Sequence, residues 1–141
     1  MTISSLNVRT KPIGAGDSTA NPDWQTVEEG IEKLRTMTGM AEIFDESQNS
    51  ITISSEQGKY FLVQGFSKSK EYVLVDIRRP VPDHVEFVKP IDGNECLEHN
   101  TIIDLDAILT VAKAYFETGG FHDSNQYSWV DLYSDTSRFD Y

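Results

Sequence analysis

Three histidines, one cysteine and 23 acidic side chains are the groups in this 141-residue chain that could do chemistry. His84, His99 and His122 lie in three separate segments. No two of them share the i, i+4 spacing of a helical metal pair or the i, i+2 spacing of a strand pair. Cys96 and His99 are three apart, but a zinc site needs three or four ligands and no second pair exists. Cys96 is flanked by Glu95 and Glu98, whose charges oppose a thiolate and so a cysteine nucleophile. Gly14-Ala15-Gly16 lacks the Gly-Lys-Ser/Thr ending of a phosphate loop. There is no Gly-x-Ser-x-Gly elbow. His122-Asp123 reads as a polar pair in a loop. The sequence therefore predicts no catalytic residue, no bound metal and no cofactor.

Charge is the stronger signal. Asp and Glu outnumber Lys and Arg 23 to 12, giving a formal charge of −11 and a pI near 4.5. Phosphate backbones and anionic membranes are bound by Lys and Arg, so neither is expected as the main partner. A protein with a basic surface is. Near the C-terminus Asp131, Tyr133 and Asp135 interleave acids with an aromatic, a pattern suited to an interface. Asp92, Glu95 and Glu98 form a second candidate acidic patch. Residues 134–141 read as a mobile acidic tail. The opening MTISSLNVRTKPIG has no apolar core of signal length. No run approaches the ~18 apolar residues of a membrane span. Both point to a cytoplasmic protein, and the single cysteine allows no internal disulfide.

The elements that must carry these residues follow from periodicity. Leu105, Ile108, Leu109, Ala112, Tyr115 and Phe116 make one face of a helix over 104–118. Asp104 is placed to cap it, and Gly119-Gly120 to end it. An earlier helix over 22–37 carries Trp24, Val27, Ile31 and Leu34. Its expected signals are an Asn21 cap, Pro22 in the first turn, a Glu29–Lys33 pair and a stop at Gly39. Gly30 should weaken it by roughly 1 kcal/mol. Between the helices, 41–45, 50–55, 59–66 and 71–77 read as strands joined by short turns, an antiparallel meander. The 59–66 and 71–77 runs are apolar on both faces, as in a sheet covered on two sides. Residues 3–10 suggest an edge strand and 11–21 a loop. Further strands are expected at 84–88 and 128–133, with a loop or irregular strand over 89–99. The class is α+β: one domain, an antiparallel sheet of five or six strands and two packed helices.

That order resembles a known family. A short-turn meander, an Asp-Gly loop at Asp92-Gly93, a helix ending in Phe116 and Thr118-Gly119, then Trp129, is similar to family one of the immunity proteins of bacterial polymorphic toxin systems. The likeness covers about residues 3–133. It implies an intracellular antidote, not an enzyme, that binds a cognate toxin domain. Such toxins are frequently deaminases or nucleases acting on nucleic acid. Phe116, Gly119 and Trp129 are then scaffold. The alternative is a non-catalytic adaptor or regulatory module, a homodimer joined along the meander's edge. A pocket lined by Tyr60, Tyr72 and a histidine would instead mark a small-ligand binder.

Overall fold

A computed structural model describes residues 3–11, 16–79 and 88–132. The first strand, β1 (Ile3–Lys11), is followed by β2 (Asp17–Ala20) and helix α1 (Trp24–Glu32), which tightens into a 3-10 turn at Lys33–Arg35. Then come β3 (Thr38–Asp45), β4 (Ser50–Glu56), β5 (Tyr60–Ser67) and β6 (Lys70–Asp76). A hairpin of β7 (Val88–Ile91) and β8 (Asn94–Leu97) precedes the short β9 (Thr101–Ile102). Helix α2 (Leu105–Thr118) and β10 (Tyr127–Asp131) complete the described elements. The main sheet runs β10-β6-β5-β4-β3-β1-β2, with β9 against β5, and every pairing in it is antiparallel. The fold is α+β, as the periodicities require.

Both helices lie on one face of this sheet. The register aligns Leu6, Ile43, Ile51, Gly65, Tyr72 and Asp131 in one row across six strands. Val27, Ile31 and Leu34 from the first helical segment, and Ile108, Ala112 and Tyr115 from α2, bury this face. On the opposite face Val73, Val75 and Ile91 are buried outside that cluster. There the β7–β8 hairpin lies over one end, where the Tyr60 hydroxyl donates to the Pro90 carbonyl. The expected two-sided cover of β5 is therefore uneven. Phe61 and Val63 are buried on the helix face, while Leu62, Gln64 and Phe66 are half-buried.

Several boundaries differ from the sequence reading, each for a local reason. Asp23, not Asn21, caps α1: its Oδ1 accepts from the Thr26 amide at 2.8 Å and the Thr26 hydroxyl at 2.7 Å. Gly39 does not stop the helix. It lies in β3, where a Cβ would stand 2.2 Å from the Arg9 carbonyl oxygen. Gly30 admits the side chains of Leu6 and Val8, since a Cβ there would lie 2.9 Å from Val8 Cγ2. Its helix penalty is the other side of a close helix–sheet approach. Lys33 reaches Asp17 at 3.7 Å instead of Glu29, which accepts from Gln25. The segment read as loop contains β2, so β1 is interior and not an edge. Residues 89–99 form a regular hairpin, not an irregular stretch. Of the strand expected at 84–88, only Val88 is among the described residues, and it opens β7.

Helix α2 matches its prediction closely. Asp104 accepts from the amides of Asp106 and Ala107 at 3.0 and 3.3 Å, and Gly119 ends the helix at φ +65°. From the following loop Phe121 folds back onto Gly65, where a Cβ would lie 2.5 Å from the ring. Phe121 also packs on Tyr72, Tyr115 and Trp129, with centroids 5.0, 5.8 and 5.1 Å away. Tyr115 donates a 2.9 Å hydrogen bond to buried Asp45 Oδ2. The other oxygen of Asp45 accepts from the amides of Ser47 and Asn49, closing the β3–β4 turn.

Two outcomes follow from this packing. Gly65→Ala should cost about 1–3 kcal/mol by overpacking. The cost should shrink sharply in a Phe121→Leu background, read as a urea double-mutant cycle; additive effects would separate the two residues. The Tyr115 hydroxyl has its pKa pushed up, by burial first and then by donating to Asp45. A raised folded-state pKa stabilises fully below the unfolded value and is lost as pH rises. Stability should therefore decline above about pH 10. Phenolate absorbance should show Tyr115 ionising only on unfolding. Titration of all tyrosines in the native protein would contradict this.

Candidate binding surfaces

The predicted patch of Asp92, Glu95 and Glu98 does not assemble as predicted, and the patch of Asp131, Tyr133 and Asp135 lies largely outside the described residues. Asp92 and Gly93 are the two central residues of the β7–β8 turn, with φ +48° and +80°, the pattern of an Asp-Gly hairpin loop. That turn points the Asp92 side chain inward, where it is 1% exposed. Arg9 Nη2 meets Asp92 Oδ2 at 3.0 Å, and Lys11 Nζ stands 3.3 Å from Oδ1. The Lys11 contact is ionic only, since its geometry gives Oδ1 no hydrogen bond. The Asp92 amide donates to Glu56 Oε1 at 3.0 Å. Asp92 therefore locks the hairpin to β1 and β4 and is withdrawn from any partner. Glu98 pairs with Lys89 at 3.7 Å, leaving Glu95 as the patch member that is exposed.

Asp131 ends β10, with its side chain 16% exposed and 3.8 Å from Lys70. Tyr133, Asp135 and the tail 134–141 lie outside the described residues. At least eight of the twelve lysines and arginines are engaged in ion pairs with carboxylates of the same chain. The cations are thus largely spent internally, and the surplus of acid stands without a matching reserve of free positive charge.

The β10 edge is closed locally. Trp129 N donates to Asp123 Oδ1 at 2.8 Å, and Tyr127 O accepts from Ser124 N at 2.9 Å. These are among the groups of β10 that face away from β6. Asp123 is thereby a structural residue, and strand addition along 127–129 is blocked. His122 contacts the Gly119 carbonyl at 3.2 Å. His99 is buried. Among the described residues no group of three His, Cys, Asp or Glu side chains is placed to hold a metal. The Cys96 thiol has its pKa raised, but by burial and not by its acidic neighbours; Lys89 acts in the opposite sense.

Sequence reasoning missed a cationic pocket of about 290 Å³ between the starts of β5 and α2. Lys59, Arg78, Arg79 and Lys89 line it, with Asp76, Glu98 and Asp104 as the acids. Arg78 forks onto Asp76 through two 2.9 Å bonds, which hold the Asp76 carboxyl below its usual range. Arg79 Nη1 donates to the Thr101 carbonyl at 2.9 Å. Lys89 Nζ lies 4.8 Å from the Tyr60 ring centroid. Tyr60 lines this pocket as the ligand-binder reading supposed, but Tyr72 packs on Phe121. The sequence signal is the adjacent pair Arg78-Arg79, just past the last strand of the meander.

No family model matches this chain, and no curated protein does. A solved structure is similar: the crystal structure of a hypothetical protein from Neisseria gonorrhoeae, at 10% identity and a TM-score of 0.56. The match covers 88% of this chain and 93% of that one. It shows a shared fold. No described helix is long and apolar enough to cross a membrane.

The Asp92 lock predicts a specific pattern. Arg9→Ala with Lys11→Ala strands a buried carboxylate and should cost about 3 kcal/mol. Adding Asp92→Asn should recover part of it. Urea midpoints of the three variants measure this, and an unchanged midpoint in the double variant would remove the lock.

Proposed function

We propose that this chain is an immunity protein, an antidote that binds a cognate bacterial toxin domain and blocks it by steric and electrostatic occlusion. The observation that carries the reading is the uncompensated acid: a net charge of −11 on a chain whose cations are mostly held in internal ion pairs. Such a surface steers a basic partner through association rate and selects against nucleic acid. A toxin acting on nucleic acid, a deaminase or nuclease, presents a basic groove of that kind. The family resemblance carried by Phe116, Gly119 and Trp129 supports the same reading. Phe116 packs on Trp24 with centroids 5.7 Å apart, and Trp129 is buried, in keeping with scaffold roles.

Occlusion needs no reacting group on the antidote. It needs a rigid surface of the right sign. Asp92 has no place in that surface. Glu28 and Glu29, exposed side by side on α1, fit it better, while Glu95 lies with the hairpin over the opposite face of the sheet.

Co-expression with the toxin domain encoded beside this chain tests the reading. The expected outcome is restored growth and a stable complex with one copy of each protein. Continued toxicity with both proteins folded, and no complex on co-purification, would contradict it. Charge reversal at Glu28 and Glu29 together should slow association by about tenfold while leaving the fold intact.

A further inference from the structure

We infer that the pocket between β5, β6 and the start of α2 is an oxyanion site for a phosphate-class ligand. Its charge is opposite in sign to the rest of the molecule. Four cations and three acids line it, a net of +1 within a chain of −11.

The cations differ in how they are held. Arg78 is fixed by its fork onto Asp76, and Lys89 is held between Glu98 at 3.7 Å and the face of Tyr60. These two are pre-positioned and nearly neutralised. Arg79 is anchored through Nη1 to Thr101, whose hydroxyl in turn donates to the Glu98 carbonyl at 2.7 Å. Among the described residues neither Arg79 nor the exposed Lys59 is in close ion-pair contact with a carboxylate, although Asp76 feels the charge of Arg79. Asp104, the third acid, spends one oxygen on capping α2. The pocket therefore offers a guanidinium and an ammonium that no described acid holds in a close ion pair. A guanidinium held by one edge and a mobile ammonium suit a ligand with several acceptor oxygens and two charges. Phosphate fits that description better than a single carboxylate.

The site is independent of the toxin-binding reading and is tested without a partner. Inorganic phosphate is titrated calorimetrically into the full chain at fixed ionic strength. Saturable binding at one site is expected, weakened about tenfold or more by Lys59→Glu, whose exposed side chain leaves the urea midpoint unchanged. Arg79→Lys, which keeps charge but loses the planar fork, should weaken it as well. Absence of saturable binding would overturn the proposal. So would equal affinity in Lys59→Glu, reproduction of the heat by sodium chloride, or tighter binding of succinate than of phosphate.

Discussion

Burial of one face of the main sheet is the constraint on which everything else rests. Side chains alternate across a strand, so a slip of one residue would turn the whole core row outward. Leu6, Ile43 and Ile51 fix that row on one side, and Tyr72 on the other. Gly65 leaves a gap in its middle, which Phe121 fills from the loop after α2. The helix, its glycine stop and the loop are thus set by what the sheet lacks at one position. Tyr115 adds a polar tie from α2 to Asp45 and the β3–β4 turn.

The opposite face is organised by charge. Asp92 is brought inward by a turn only a few residue types adopt easily, and it is met by two cations of β1. A carboxylate buried in that way must be paired or pay a large desolvation penalty. The hairpin therefore docks in one place, and the Tyr60–Pro90 contact follows from it. The same internal pairing leaves the outer surface acidic. Structure and surface charge are consequences of one distribution of lysines and arginines.

How much of this could be read from the chain depended on whether the cause was local. Helix α2 was legible because its cap, stripe and stop all lie within Asp104–Gly119. The meander was legible from alternation in Ile51-Thr52-Ile53-Ser54 and its short turns. Strand β2 was not, since Asp17-Ser18-Thr19-Ala20 has no apolar period and owes its form to pairing with β1. The turn at Asp92-Gly93 was visible, but the side chain's destination was not, because Arg9 lies 83 residues away. Proximity in sequence made Asp92, Glu95 and Glu98 look like a patch. The cationic pocket draws on residues from Lys59 to Asp104 and beyond, which no spacing rule gathers.

The central functional claim is that acidic charge on a rigid sheet-and-helix scaffold captures a basic partner without chemistry. Its most direct test is the association rate of this chain with the proposed cognate toxin domain across a range of ionic strength. Electrostatic capture predicts a rate that falls steeply as salt screens the attraction, with dissociation changing far less. An association rate that ignores salt would contradict the account, and would assign recognition to shape and apolar contact instead.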